Sequence, residues 1–575
     1  MAPSTTTSTT MKTELGRSLR RGAVMRLYFA RRRGVGKPVA RPLPTTRRIL
    51  YTIGSMALVR SVATVGGYTM MSRVLGFVRD VLMAQFLGAG PVADAFFVAL
   101  RLPNLFRALF AEGAFSAAFV PIFAGMVAKE GPRPARLFAE DAVALLTTVL
   151  FIFVLACEIA TPALLHVLAP GFAAEPEKFA ITVAFARITF PYLLFISLVA
   201  LQGGVLNSLE RFAATAAAPV LLNLFLIGTL LLVRPVNGFA LSWAVTAAGF
   251  AQFVWLMASC GRAGMALRFP RPRWTPPLKR LVGLMGPGVL GAGVTQLNLV
   301  VSTAVASLLP TGAVSYLYYA DRLNQLPLAV VGTAVGTAIL PPLSRQVRTG
   351  DVAAAAATQN RGLELALLLT VPAAVALGVL AQPLLTALFE RGAFGPTEVR
   401  ATAGALAAYA AGLPAFVLVK VLAPAFFARH DTATPVKIGI VAVAANLALT
   451  LILGVALPFA HVGVASATSA AGWINALSLL WLLHRRAHFR LDARARARIP
   501  RIVLAALLMG AVLLALGVPL APLFAATPLR RLAALAALVA AGLAAFALFA
   551  LALGAADWSE LGSRLGLDLA ARRRR

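Results

Sequence analysis

The chain has 575 residues, of which 59% are hydrophobic and 13% are charged, and its formal net charge is +32. An ordinary soluble domain is about 25% charged and about 45–50% apolar, so this composition excludes a series of soluble domains and indicates a polytopic membrane protein. The positive charge lies mainly at the two ends and in alternate loops, which is the pattern that sets membrane orientation. We therefore expect no nucleic-acid partner.

The first 55 residues differ from the rest of the chain. They begin with Ser and Thr and continue as RSLRRGAVMRLYFARRRGVGKPVARPLPTTRR, which contains no acidic residue. A segment of this composition cannot bury a core, so residues 1–55 are predicted to form a disordered, basic, cytoplasmic extension. No apolar run followed by a small-residue cleavage site is present, so no signal peptide is predicted. Met56 is an alternative first residue for the chain.

The remainder consists of apolar spans separated by short polar breaks. A hydropathy window of about 19 residues predicts about 14 transmembrane helices and an all-α fold. Their approximate ranges are 62–88, 92–126, 139–162, 179–206, 214–234, 238–260, 281–308, 313–343, 358–380, 400–427, 436–457, 462–483, 501–521 and 532–554.

Lys and Arg are concentrated in every second loop. The loops on this side are 129–136, 261–280, 344–351, 428–437 and 484–501, together with the terminal residues 572–575. Because positively charged loops stay on the cytoplasmic side, this bias predicts that both termini are cytoplasmic.

Charged residues interrupt the first span. The stretch MMSRVLGFVRDVLMAQFLGAG (70–90) carries Arg73, Arg79 and Asp80 near its middle. Each charge costs roughly 2.5–3.5 kcal/mol at the centre of a transmembrane helix, so some interaction must offset that cost. Arg73 and Asp80 are seven residues apart and share one helix face, whereas Arg79 points about 120° away from Arg73.

The second span repeats this arrangement. Asp94 and Arg101 are again seven residues apart, and Arg107 and Glu112 follow them. Two neighbouring helices are therefore predicted to present charges in the same way.

A later span, 312–345, carries Asp321 and Arg322 inside apolar sequence. Aligning ALRLPNLF with ADRLNQLP matches Arg101 to Arg322, which suggests an internal repeat. Transporter repeats related by a pseudo-two-fold axis place the substrate site at their interface near the bilayer midplane.

These charges allow two interpretations. In the first, each acid pairs with an arginine and the pairs only lock helices together. In the second, the arginines bind an anion, because a guanidinium stays protonated and its planar fork contacts two phosphate oxygens. Five arginines nearly balance four carboxylates, and no lysine lies in this cluster. The residue type, not the charge count, favours a phosphate or pyrophosphate carried by a lipid.

No motif for catalysis or for a bound cofactor is present. GPGVLG (286–291) matches GxGxxG, but no strand precedes it and no acid follows at the required distance, and no GxxxxGK[ST] motif occurs. Cys157 and Cys260 lie in separate apolar spans, and the five histidines lack metal-ligand spacing. We expect no enzyme activity, metal site, cofactor or disulfide framework.

Five stretches carry a resemblance to a known family. They are SRVLGFVRD (72–80), DAFFVALRLPNLFRALFAEGAFSAAFVP (94–121), YYADRLNQLP (318–327), GTAILPPLS (336–344) and FFARHDTATPVKI (426–438). Together they resemble the MurJ/MviN family of lipid II flippases, which are bacterial inner-membrane proteins of the multidrug/oligosaccharidyl-lipid/polysaccharide exporter superfamily. The resemblance covers the chain from Met56 onward.

The resemblance implies two pseudo-symmetric six-helix bundles around a central cationic cavity, followed by a final helix pair. The corresponding domains are an N-lobe at 56–260, a C-lobe at 261–483, and C-terminal helices with a basic tail at 484–575. The implied activity is alternating-access transport of the undecaprenyl-pyrophosphate-linked peptidoglycan precursor from the inner to the outer leaflet.

The resemblance also implies site residues. The substrate-binding positions are Arg73, Arg79, Arg107 and Arg322, and the cavity or gating positions are Asp80, Asp94, Arg101, Glu112 and Asp321. We expect Arg73, Arg79 and Arg322 to hold the pyrophosphate. Asp94 and Glu112 are expected to gate or pair these arginines.

Two departures from the family pattern affect the expected chemistry. Asn324 and Gln325 stand where the family often has an acid after DRL. Some relatives bind sodium with carboxylates on helices seven and eleven, but spans 281–308 and 436–457 contain no Asp or Glu, so no sodium site of that type is expected.

Two other functions remain open on the sequence alone. One is a related exporter of another polyprenyl-linked oligosaccharide or of a drug, and the other is a non-transporting scaffold of cell-wall synthesis. The expected partners are lipid II, membrane lipids and other cell-wall synthesis proteins.

Overall fold

A computed structural model describes residues 44–108 and 115–556 of the chain. Within those ranges the regular structure is helical throughout, which confirms the predicted all-α fold. Ten helical segments among the described residues are long and apolar enough to cross a membrane. Large apolar side chains face outward, including Leu232, Val518 and Leu529, which are 84%, 76% and 78% exposed. A surface of this kind requires a lipid environment, so the protein is a multi-pass membrane protein.

The helices follow one another with short connections. In chain order they are α1 (Pro44–Leu87), α2 (Pro91–Arg107), α3 (Ser116–Lys129), α4 (Pro132–Leu168), α5 (Pro176–Thr189), α6 (Pro191–Ser208), α7 (Phe212–Leu232), α8 (Gly238–Arg262), α9 (Pro276–Ser307), α10 (Ala313–Arg348), α11 (Val352–Val379), α12 (Ala381–Leu388), α13 (Pro396–Phe427), α14 (Ala433–Thr450), α15 (Ala460–Arg485), α16 (Ala493–Phe524) and α17 (Pro528–Ala552). A 3-10 helix, Pro170–Ala174, and a π-helical segment, Leu451–Ala456, complete the described elements.

Local sequence explains many of these helix starts. Several helices begin at a proline, whose fixed φ suits the first helical position and whose missing N–H would have no partner there. Asn237, Asp351 and Asp492 cap α8, α11 and α16, because each side chain accepts a hydrogen bond from a backbone N–H three residues later. These signals place the ends of the spans, which hydropathy alone leaves uncertain.

The N-terminal extension differs in part from its prediction. Residues 1–43 lie outside the described range, but α1 begins at Pro44, so residues 44–55 are helical where disorder was expected. Residues from Thr64 onward form one compact unit, which contains the rest of α1 and all the later helices.

The helices of this unit pack into two groups. In the first group α6 and α7 pack against α8, and α2 packs against α5. In the second group α13 packs against α10, α11 and α15, while α14 packs against α15 and α9. Helix α9 also contacts α3 and α4 of the first group. Helices α16 and α17 pair with each other, and α16 rests on α11. The lobe boundaries at 260/261 and 483/484 stay predictions.

The two ends of the bundle differ. We call one end the basic face, which contains the connections 129–132, 208–212, 262–276, 348–352, 427–433 and 485–493. We call the other end the closed face, which contains the connections 87–91, 168–176, 232–238, 307–313, 388–396 and 524–528.

The arrangement of the hydrophobic core is the reason for the name closed face. One buried cluster, near the closed face, joins residues of both groups, such as Phe97, Tyr319 and Phe394. Toward the basic face the core divides: a cluster around Phe119 contains first-group residues with the start of α9, and a cluster around Phe426 contains residues of the second group and of the α16 region. The two groups are therefore joined through one continuous core near the closed face.

Candidate functional site

Asp80 of α1 is the centre of a charged cluster between the groups. The Nε and Nη2 atoms of Arg79 donate to its Oδ1 atom at 3.0 and 2.7 Å. From α10, the Tyr318 hydroxyl donates to the same oxygen at 3.2 Å, and the Nε atom of Arg322 lies 3.6 Å from Oδ2. Asp80 is 3% exposed. This one carboxylate therefore links α1 to the second helix group.

The two arginines of this cluster, Arg79 and Arg322, differ in their hydrogen-bond partners and in their exposure. The third donor of Arg79, Nη1, bonds the Oδ1 atom of Asn223 at 3.0 Å, and Asn223 in turn donates to the carbonyl of Ser72 at 2.9 Å. The side chain of Arg79 is 13% exposed, whereas that of Arg322 is 38% exposed. Arg322 lies over the Tyr318 ring, 4.7 Å from its centroid. Arg322 is thus the accessible cation of the pair.

Arg73 lies in a different environment. It is exposed and lines a separate pocket of about 410 Å³ formed with Ser72, Asn207 and Thr215. Seven residues of a helix span about 10 Å, so Arg73 and Asp80 sit at different depths although they share a face. The structure therefore does not bring Arg73 into the Asp80 cluster.

Asp94 of α2 joins the groups nearer the closed face. Its Oδ2 atom accepts from the backbone N–H of Gly312 at 2.8 Å, and its Oδ1 atom accepts from the backbone N–H and the hydroxyl of Ser315 at 2.9 and 2.6 Å. Those N–H groups belong to the start of α10, where the positive end of the helix dipole favours a carboxylate. A residue of the first group thus caps a helix of the second.

The charged partner of Asp94 is a lysine, not an arginine as we expected. The Nζ atom of Lys178, in α5, lies 3.4 Å from Asp94 Oδ2, and the lysine side chain is 3% exposed. Lys178 also donates to Thr311 at 3.1 Å and lies over the Phe172 ring. Lys178 lies just before the predicted span 179–206. Only the packing of α5 against α2 shows that its ammonium is buried.

A cavity of about 570 Å³ lies between α2, α9, α10, α13 and α15, and we call it the interface cavity. Arg101 and Asp321 line it from opposite groups, and a side-chain nitrogen of Arg101 also bonds the hydroxyl of Thr303. Asp321 accepts a hydrogen bond from Gln325. The other polar residues that line it are Gln296, Asn298, Ser302, Asn324, Tyr409, Lys420 and Thr468.

Several of these polar residues had no role in the sequence predictions. Asn446 donates to the Oδ1 atom of Asn298 at 2.8 Å and to the hydroxyl of Ser302 at 3.3 Å, which connects α14 to α9 beside the cavity. Lys420 lies inside the apolar span 400–427 and lines the cavity. A charged residue at such a position indicates a polar site in the membrane, although the predictions did not include it.

Arg107 and Glu112 complete the predicted site residues. Arg107 is the last residue of α2, is partly buried and lines neither the interface cavity nor the Arg73 pocket. Glu112 lies outside the described residues. The roles assigned to both stay predictions.

Comparison with known proteins identifies the family. A family model described as "Lipid II flippase MurJ" matches residues 83–529. The chain belongs to the MurJ family. A probable lipid II flippase MurJ from Rhizobium meliloti is 48% identical over 465 residues, covering 80% of this chain and 86% of the relative. The lipid II flippase MurJ of Burkholderia cenocepacia is 37% identical over 442 residues, covering 75% of this chain and 84% of the relative.

Solved structures agree with this assignment. A lipid II flippase MurJ in an inward closed conformation superposes with a TM-score of 0.70 at 25% identity, covering 84% of this chain and 97% of the other. An inward-facing multidrug MATE transporter of the MOP superfamily superposes with a TM-score of 0.59 at 13% identity, covering 76% and 98%, which shows a shared fold. In this MurJ-family chain, Asp80, Asp94 and Arg101 each contact the second helix group at a different depth.

Proposed function

We propose that this protein moves lipid II, the polyprenyl-pyrophosphate-linked peptidoglycan precursor, across the cytoplasmic membrane by alternating access. The observation that carries the proposal is the accessible guanidinium of Arg322 beside Asp80 at the interface of the two helix groups. An arginine fork contacts two phosphate oxygens at once, and a site walled by apolar helices strengthens such contacts relative to water. The relatives named as lipid II flippases support this choice of substrate over another lipid-linked sugar or a drug.

The orientation of the two faces follows from the loop charges. Because Lys and Arg accumulate in cytoplasmic loops, the basic face is assigned to the cytoplasm and both termini lie there. The closed face is then the outer side of the cytoplasmic membrane. Lipid II enters from the inner leaflet while contacts at the closed face hold the outer exit shut.

Binding of the pyrophosphate is coupled to opening through Asp80. An anion that approaches Arg322 competes with Asp80, whose Oδ2 atom lies 3.6 Å from the Arg322 Nε atom. Loss of this ion pair weakens the contact between α1 and α10 and leaves Arg79 as the charged partner of Asp80. A ligand shifts a conformational equilibrium only through such differential contacts. Arg73, about 10 Å nearer the basic face along α1, is suited to receive the head group first.

The contacts at the closed face form the outer gate. Asp94 holds the start of α10, and the backbone N–H of Ala393 bonds the carbonyl of Gln85 at 2.8 Å. Opening the outer side requires these contacts between the groups to break. The lobes 56–260 and 261–483 are the units proposed to rock against each other, with α9 contacting both helix groups.

The test is complementation of bacteria depleted of their own lipid II flippase. Arg322→Ala and Arg73→Ala should fail to support growth and should accumulate lipid II, while Arg322→Lys should restore part of the function, because it keeps the charge and loses the fork. Arg345→Ala is the matched control, because Arg345 is an exposed arginine on the same helix as Arg322 and lines neither cavity. Normal growth and normal lipid II levels with Arg322→Ala at equal expression would refute the proposal and favour a scaffold role.

A further inference from the structure

Lys420 of α13 is a cation on the wall of the interface cavity. In the part of the chain that the structure describes, no carboxylate lies within the 4.0 Å of an ion pair with its ammonium group. Its stem lies against Gly332 of α10, where an added Cβ atom would be 2.9 Å from Lys420 Cδ and 3.2 Å from Nζ. A glycine at 332 therefore leaves the space that the lysine occupies. Lys420 is exposed and lines this cavity, and an intramembrane charge without a counter-ion indicates an anionic ligand.

Asn324 gives an independent indication in the same cavity. It is 2% exposed, and its Oδ1 atom has no hydrogen-bond partner among the described residues. Buried acceptors are nearly always paired, because an unpaired one loses its hydration without compensation. A ligand that donates a hydrogen bond at this position would satisfy the oxygen.

The remaining charges of the cavity offset each other. Arg101 and Asp321 interact electrostatically across it, and Gln325 donates to Asp321. The Asn446 amide holds Asn298 in place on the α9 wall. The cavity thus presents one uncompensated positive charge surrounded by amide and hydroxyl groups.

We propose that the interface cavity is the subsite for the peptide part of the lipid head group. In this subsite Lys420 Nζ donates to a peptide carboxylate, and Asn324 Oδ1 accepts from a peptide N–H. This inference rests on the proposed function and goes beyond it by assigning separate places to the peptide and to the pyrophosphate. The volume of about 570 Å³ is typical of a ligand pocket and exceeds what a single ion needs.

A carboxylate fits Lys420 better than a phosphate does. A single ammonium matches a singly charged group, whereas a pyrophosphate carries more charge and prefers the arginine fork. Arg322 projects about 100° around α10 from Asp321, toward Asp80, so the two anion sites lie on different faces of one helix. Because Asp321 on the cavity wall and Arg322 are adjacent in the chain, the two sites are neighbours, and a single lipid head group can contact both.

The test measures binding of three lipids to the full chain in nanodiscs. The lipids are lipid II with its pentapeptide, the same lipid with its peptide carboxylates amidated, and undecaprenyl pyrophosphate. The unmodified protein should bind amidated lipid II about tenfold more weakly than lipid II. Lys420→Met should lose this preference and bind the other two lipids as the unmodified protein does, while Lys420→Arg should keep it. Lys437→Met, an exposed lysine at the basic face, is the matched charge control.

Asn324→Leu should weaken binding of both peptide-bearing lipids by a few fold and leave undecaprenyl pyrophosphate unaffected. Equal affinity of the unmodified protein for lipid II and its amidated form would overturn the proposal without any variant. Equal weakening of undecaprenyl pyrophosphate by Lys420→Met would assign Lys420 to phosphate instead. If the unmodified protein bound none of the three lipids, the proposed function itself would fail, which is a distinguishable result.

Discussion

The Nζ atom of Lys178 lies 3.4 Å from the Oδ2 atom of Asp94, and the two side chains are 3% and 1% exposed. Asp94 also accepts hydrogen bonds from Gly312 and Ser315. One carboxylate therefore holds α2, α5 and α10 together near the closed face. Buried ion pairs contribute little net stability but are costly to break, so this one is suited to fix a particular arrangement of the helices.

Asp94→Asn should destabilise the closed state. The change keeps the side-chain shape but removes the charge that compensates buried Lys178, and breaking a buried pair typically costs about 3–5 kcal/mol. We expect a lower melting temperature in detergent. We also expect faster labelling of Thr311→Cys by a membrane-impermeant maleimide, in a background in which Cys157 and Cys260 are replaced by alanine.

Glu175→Gln is the control for this variant. Glu175 also lies 3.4 Å from Lys178 Nζ, but its side chain is 49% exposed, so its loss should cost about 1 kcal/mol or less. Equal destabilisation by the two variants would show that burial of Asp94 does not determine its contribution.

Gly392→Ala should prevent the closed face from forming. Gly392 has a φ of +57°, and a Cβ atom there would lie 2.3 Å from the carbonyl oxygen of Gln85 in α1. The backbones must separate to accommodate the methyl group. The measurement is disulfide formation between Gln85→Cys and Ala393→Cys, which should fall strongly in the Gly392→Ala background.

Gly350→Ala is the control that distinguishes the steric contact with Gln85 from backbone strain. Gly350 has a φ of +72°, which also disfavours alanine, but nothing lies within 4 Å of an added Cβ atom. Both substitutions cost about 1–2 kcal/mol for the left-handed conformation. Only Gly392→Ala should reduce the cross-link, and a similar reduction by Gly350→Ala would show that strain alone is the cause.

Asp431 should make stability depend on pH at the basic face. It accepts from the Thr434 hydroxyl at 2.7 Å and the Thr434 N–H at 2.9 Å, and Arg486 donates to it at 2.7 Å. These hydrogen bonds, with those of Thr434 the larger cause, lower the pKa of Asp431 from 3.8 to about 2. Between these values the unfolded chain binds more protons than the folded one, so this contribution to stability is present above pH 3.8 and is lost as the pH falls to about 2.

The measurement is the melting temperature of the parent protein and of Asp431→Asn from pH 6 to pH 2. The variant should melt slightly lower at pH 6, and the difference should shrink as the pH falls below about 4. The difference is expected to be small, because the Asp431 side chain is 26% exposed and water screens its interactions. A difference that stays constant down to pH 2 would show that the charge of Asp431 is not its source.

The seven-residue spacing of Asp94 and Arg101 on α2 predicts that both side chains project from one face of the helix. Asp94 and Arg101 were placed on one helix face because they are seven residues apart, and both side chains do contact the second group, Asp94 at Ser315 and Arg101 at Thr303. The suggested match of Arg101 with Arg322 as an internal repeat stays a prediction.

The partners of these charges could not be predicted in the same way. Lys178, Asn223 and Thr303 lie on helices that are distant in sequence from Asp94, Arg79 and Arg101. Periodicity gives the direction of a side chain from its own helix but carries no information about which helix packs there. The expectation that arginines would serve as the partners of Asp94 failed for this reason.

The amino-acid pattern alone is enough to predict the all-α membrane fold, the approximate spans and the residues that carry charge, because the bilayer imposes the same local rule on every crossing segment. Which charges are neutralised and which remain available depends on how the helices pack. Arg79 is engaged by Asp80 and Asn223, whereas Lys420 faces the interface cavity. Electrostatic interactions depend on distance and burial, and both are set only when the helices pack together.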